Sequence, residues 1–180
     1  MSSTITPAVL NYVANLPQTS HAIFCYESLD QAYEVFRAYV SGATERNEAV
    51  RILSSSKRSY DLFLQATGPP TKDLVNWIEM NAFASKTGFN SEKALSLAKS
   101  ELDAALKLGF KGLRLFSLAN DYLNYTSLMD VLEFEKQLGL RFPTSMSAIC
   151  AYDIRGNLGE EALETLLKAH GSHIFQGVAG

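Results

Sequence analysis

Apolar residues recur along this chain with two alternating periods. Residues 7–16 place Val9, Leu10, Val13 and Leu16 on one face of a helix, with Pro7 in the first turn, where a missing amide proton is tolerated. Pro17 and the polar Gln18, Thr19 and Ser20 end that helix, and the apolar run at 22–26 predicts a first strand. Ser28 and Gln31 have the spacing of a reciprocal helix cap. Leu29, Tyr33, Phe36, Tyr39 and Val40 then follow at helical intervals up to a stop at Gly42. The alternation repeats with a strand at 50–53, a helix over 60–65 closed by Gly68, Pro69 and Pro70, and a strand at 74–78. A loop through 86–89 leads to a long helix opened by Asn90 or Ser91, striped by Leu95, Ala98, Leu102, Ala105 and Leu106, and stopped at Gly109. Strands at 112–116 and 146–151 flank a helix at 128–138, and a helix at 160–169 precedes a short closing strand at 173–175.

Five apolar runs separated by helices require crossover connections, which are right-handed and produce parallel pairing. The predicted class is therefore α/β: a three-layer sandwich with a mostly parallel central sheet of five to six strands, sheathed by helices. The chain shows no repeat and no low-complexity tract, and its 180 residues suit one domain over 1–180, the first twenty forming a leading helix and linker. A hydrophobic content of 47% against 19% charged residues supports a self-sufficient core. Sixteen basic and nineteen acidic residues give a net charge of −3, which argues against a nucleic-acid backbone or an anionic bilayer as partner. Two cysteines cannot make a disulfide framework or a four-cysteine zinc site, and they suit a reducing, cytoplasmic compartment. The first basic side chain is Arg37, too late for a signal peptide, and no apolar run approaches the ~18 residues of a membrane span.

In open α/β sheets ligands bind beyond the carboxyl ends of the strands. That rule nominates Tyr26, Glu27 and Ser28, then Glu79, Met80 and Asn81, then 117–121, and finally Tyr152, Asp153, Ile154 and Arg155. The first of these loops is acidic and free of glycine, so it cannot cradle phosphates, and the chain has neither a P-loop nor a dinucleotide fingerprint. Tyr26 and Tyr152 at strand ends suit a ligand wall. Cys25 and Cys150 read either as small buried apolar residues or as a redox or soft-ligand pair. Asp153 and Arg155 either orient a polar ligand or pair with each other at the surface. Arg114, inside an apolar strand, needs a carboxylate or a ligand as partner. The three histidines, His21, His170 and His173, fall away from the nominated strand ends, and Gly171 disfavours a shared helical face for the last two. They read as helix-end and strand-edge residues. Glu133 and Glu135 are two apart on a helix and point in different directions. No catalytic constellation, metal set or cofactor motif emerges.

The order of several local strings resembles the MEDS domain, the methanogen/methylotroph DcmR-like sensory domain, a RecA/KaiC-like relative without the phosphate loop. These strings are His21-Ala-Ile-Phe-Cys-Tyr26, Ser41-Gly42 with Asn47-Glu48-Ala-Val-Arg-Ile-Leu53, Gly88-Phe89, Gly109-Phe110-Lys-Gly-Leu-Arg114, Phe134-Glu135, Ile149-Cys-Ala-Tyr-Asp153, and Leu166 to His170. After Arg114 the chain departs from the family pattern, reading Phe116-Ser-Leu-Ala-Asn-Asp121 where a Gly-Glu-Met-like segment is expected. The resemblance implies RecA-like strand order with the first strand between the fourth and fifth. Cys25, Arg114 and Cys150 would then be neighbours, and Glu27, Ser117 and Asp153 would ring one crevice. It also implies cytoplasmic sensing of small organic compounds.

The expected function is a non-catalytic sensory domain without cofactor, binding a small molecule through Cys25, Tyr26, Glu27, Arg114, Ser117, Cys150, Tyr152 and Asp153 and signalling through a partner protein. Two other readings stay open. One is a cryptic nucleotide binder; the other is an interaction scaffold, self-assembling or not, that uses the 128–138 helix or the closing strand.

Overall fold

A computed structural model describes residues 4–68, 74–85, 88–138, 145–155 and 158–174. The elements run α1 (Pro7–Ala14), β1 (His21–Tyr26), α2 (Leu29–Arg46), β2 (Ala49–Ser54), α3 (Lys57–Thr67), β3 (Val75–Glu79), β4 (Ala84–Ser85), β5 (Gly88–Phe89) and α4 (Ser91–Lys107). They continue with β6 (Leu113–Leu118), α5 (Leu128–Leu138), β7 (Met146–Asp153), α6 (Glu160–Ala169) and β8 (Ser172–Ile174). Phe175 of the expected closing strand, and Pro69 and Pro70 of the expected loop, lie outside the described residues. No helix among the described residues is long and apolar enough to cross a membrane.

Six strands form one parallel sheet in the order β3-β2-β6-β7-β1-β8, so the α/β class and the parallel sheet are as the sequence predicts. The place of the first strand is not: β1 lies between β7 and β8, and the fifth long strand, β7, separates it from β6. Burial explains the exchange. The eight-residue β7 is buried up to its last residue and gains most from two neighbours, whereas β8 has three residues, two of them only partly buried, and suits an edge.

Alternation along the strands divides the core in two. Phe24, Tyr26, Phe116, Leu118, Ile149 and Ala151 pack under α1, α2 and α3. Ile23, Cys25, Leu115, Ala148, Cys150 and Tyr152 pack under α4, α5 and α6. The Ser28/Gln31 capping box opens α2 as the spacing predicts, but the helix runs through Gly42 to Arg46 and turns out at Asn47 with φ 55°. Gly42 is there for proximity rather than termination, since a Cβ at this position would lie 1.8 Å from the Ala14 carbonyl oxygen of α1. Asn90 caps α4 by accepting from the Lys93 amide, and Gly109, at φ 89°, follows its end. Where the sequence suggests only a loop, β4 and β5 pair antiparallel.

Candidate functional site

The side chain that organises the site is Glu135. It sits on the inner stripe of α5 with Val131, Leu132 and Leu138 and is fully buried. A carboxylate in an apolar layer is costly unless polar groups meet it. Four do. The Tyr152 hydroxyl donates to Oε1 at 2.7 Å, and the Cys150 thiol donates to Oε2 at 3.8 Å. His21 Nε2 lies 3.4 Å from Oε2 and His170 Nε2 lies 3.6 Å from it. His21 Nε2 is also 3.3 Å from Cys150 Sγ, and the two imidazole centroids are 4.1 Å apart.

Topology assembles this group. Cys150 and Tyr152 alternate onto the α5 side of β7, His21 opens β1 beside Ala148 of β7, and His170 follows α6 where the Gly171 amide donates to the His21 carbonyl. His170 Nδ1 is 2.7 Å from the Leu166 carbonyl oxygen, which can only accept, so Nδ1 carries a proton. Nε2 of the same ring has no hydrogen-bond partner among the described residues. Burial pulls His170 down to about 4, against the upward pull of Glu135. Burial alone would raise Glu135, but the two imidazoles and the Tyr152 hydroxyl outweigh it and hold the carboxyl below its ordinary range. Burial, reinforced by Glu135, pushes the Cys150 thiol and the Tyr152 phenol well up. Donor atoms of His21, Glu135, Cys150 and His170 all lie within 4.8 Å of one another, a set able to hold a metal ion.

An apolar cavity of about 40 Å³ adjoins the cluster, inside a depression of about 540 Å³ that includes open solvent. Leu53, Ile78, Leu115 and Ala148 of the sheet, Leu95 and Ala98 of α4, and Phe134 and Leu138 of α5 enclose it. Its polar lining is His21, Cys150, Ser117 and Tyr122, and the Ser117 hydroxyl donates to the Tyr122 hydroxyl at 2.9 Å. His21 and Cys150 belong to cavity and cluster alike.

The residues nominated from sequence separate accordingly. Ser117 and Cys150 line the cavity, Tyr152 stands behind them on Glu135, and Cys25 is buried on the same face, its thiol raised to about 11 by burial. Arg114 points into the opposite layer, correcting the implied proximity to both cysteines. Its guanidinium donates to Glu48 at 2.6 Å, to the Ala14 carbonyl and to the Tyr39 carbonyl, and lies over the Tyr39 ring. The implied crevice of Glu27, Ser117 and Asp153 is likewise not formed. Glu27 is exposed past β1, Asp153 pairs with Arg155 at 2.6 Å, and Ser117 faces the cavity. The 3₁₀ segment Ala119–Asn124 crosses the strand ends, and Asn120 bonds both the amide and the carbonyl of Asp153. Tyr26 packs in the α1–α3 layer.

Sequence reasoning missed His21, Glu135 and His170. One signal was available: Glu135 interrupts the apolar stripe Val131, Leu132, Leu138, and a carboxylate there must be met by polar groups from elsewhere.

The fold is similar to that of a Pyrococcus horikoshii OT3 protein studied as Project ID PH0250, with a TM-score of 0.61 and 11% identity over 93% of this chain and 87% of that one. It is also similar to the ATPase EscN of the enteropathogenic E. coli type III secretion system, with a TM-score of 0.55 and 12% identity over 96% of this chain and 47% of that one. A prototypical type III secretion ATPase from pathogenic bacteria gives a TM-score of 0.50 and 12% identity, over 96% and 56%. This chain spans about half the length of those two ATPases, and at such identities the likeness concerns the RecA-like fold alone. No curated protein matches it in sequence. Residues 20–171, which contain every member of the buried cluster, match the MEthanogen/methylotroph, DcmR Sensory domain, and the chain belongs to this MEDS family.

Proposed function

We propose that this protein is a non-catalytic sensory domain that takes a small, largely apolar organic molecule into the cavity between the sheet and helices α4 and α5, and signals to a partner protein. The observation that carries this reading is a mostly apolar cavity whose few polar lining groups are His21, Ser117, Tyr122 and Cys150. Such a lining gives affinity by burial and orientation by a few placed polar groups. Its volume has room for roughly three waters, so the ligand is a molecule of a few heavy atoms. A ligand there would press on α5, the helix that carries Glu135 and packs against α6, and displacement of α5 is the output a partner would read.

Two features favour binding over catalysis. The Cys150 thiol is buried and its pKa is well raised, which makes it a poor nucleophile. The turn into α2 is two residues long, and Gln31 Oε1 already accepts from the Glu27 and Ser28 amides that a phosphate would need.

Thermal unfolding with a panel of small alcohols, ketones and hydrocarbons, beside Mg-ATP, tests the reading. A ligand at about 100 times its Kd adds ~2.7 kcal/mol, a midpoint rise of roughly 5–10 °C for a chain of this length. Ala98→Leu fills the cavity and should abolish that rise while leaving the ligand-free midpoint equal or higher. A rise with Mg-ATP alone, or a small-molecule rise that Ala98→Leu leaves unchanged, overturns it.

A further inference from the structure

We propose that His21, Glu135, Cys150 and His170 form a binding site for one divalent transition-metal ion of the zinc type. Four donor atoms converge from β1, α5, β7 and the end of α6: two imidazole nitrogens, a carboxylate oxygen and a sulfur. Metal–ligand bonds of about 2.0–2.3 Å in a tetrahedron set donors about 3.3–3.7 Å apart. Four of the six separations are 3.3 Å from His21 Nε2 to Sγ, 3.4 Å from His21 Nε2 to Oε2, 3.6 Å from His170 Nε2 to Oε2 and 3.8 Å from Sγ to Oε2, and all six lie within 4.8 Å, a spread that small side-chain shifts close on binding. Nitrogen, oxygen and thiolate together suit zinc better than the all-oxygen preference of magnesium or calcium.

The second, independent observation is His170. Its side chain is fully buried, its Nδ1 is committed to the Leu166 carbonyl, and its Nε2 faces the Glu135 carboxylate 3.6 Å away without a hydrogen-bond partner among the described residues. A buried ring nitrogen and a carboxylate oxygen that face each other without a hydrogen bond are both satisfied by a cation that bonds the two. The outer contacts are those of a ligating set: a backbone carbonyl fixes the His170 ring, and the Tyr152 hydroxyl holds Oε1 while Oε2 is the oxygen that faces His21, Cys150 and His170. The cavity supplies an entry path to His21 and Cys150. On binding, the Cys150 S–H gives its proton to solvent and the thiolate bonds the ion, with no change of oxidation state.

The site shares His21 and Cys150 with the cavity, but the proposal does not rest on the small-molecule reading, and its test contains no organic ligand. Chelator-treated protein is titrated with Co²⁺ under reducing, oxygen-free conditions. One equivalent should develop the intense visible bands of tetrahedral cobalt together with a near-ultraviolet thiolate-to-cobalt band, and Zn²⁺ should displace both and raise the thermal midpoint. Cys150→Ser should lose the thiolate band, His170→Gln should weaken Co²⁺ at least tenfold, and Cys25→Ser should leave both signals intact, with circular dichroism confirming the fold of each variant. An octahedral spectrum only, no saturation at one equivalent, or a thiolate band that depends on Cys25 and not Cys150 overturns the proposal.

Discussion

Arg114 shows how a single residue can be legible in its need and illegible in its role. A guanidinium inside an apolar strand demands a carboxylate, and the sequence does not say which. The structure supplies Glu48, itself buried, from the turn between α2 and β2, and adds two main-chain carbonyls. Removing one partner strands the other charge in the core. Arg114→Met should therefore cost about 3–5 kcal/mol in urea unfolding. The same variant should leave Co²⁺ binding intact, because the His21, Glu135, Cys150 and His170 cluster lies across the sheet. Asp153 and Arg155 present the other outcome of the same reasoning, a pair more than half exposed on its arginine side and of little consequence for stability.

At the scale of elements, local chemistry reads well where it acts locally. The Ser28/Gln31 cap, the Asn90 cap, and the bounds of α5 and α6 all follow from spacing that involves only neighbours along the chain. Gly42 fails as a stop because its reason is tertiary: α1 crosses α2 at this glycine, and the Ala14 carbonyl occupies the space of a side chain. Gly42→Ala must push α1 away, and with it the carbonyl that takes two hydrogen bonds from Arg114. Overpacking of this kind costs about 1–3 kcal/mol or more, against the small gain in helix propensity from alanine. Urea unfolding should show a lower midpoint, and amide exchange in α1 should accelerate more than in α4.

For the whole molecule, the central sheet with a core on each face buries tyrosines on both sides. Burial, aided by Asp153 and Asp121, pushes Tyr26 up to about 12, and burial raises Tyr39 and Tyr122 as well. An unfolded tyrosine titrates near 10. Between those values the folded state holds phenol protons that the unfolded state has released, so stability is full below about pH 10 and falls as the pH rises toward 12. Tyrosinate absorbance from these residues should appear together with loss of circular dichroism in one alkaline transition. Titration of Tyr26, Tyr39 and Tyr122 near pH 10 in protein that stays folded would contradict this.

Period and caps along the chain determined the α/β class, most helix positions and the absence of a phosphate-binding loop, because each depends on residues within a turn or a strand of one another. The face of each strand residue follows from the same alternation. Strand order does not, since it depends on which strand gains most from burial on both sides, a comparison made only when the whole sheet assembles. That order decided the site. Placing β7 at the centre and β8 against β1 brought His170 beside His21 and set both against Cys150 and Glu135, residues distant in sequence. Alternation alone turned Arg114 away, because a residue one step along a strand faces the other core.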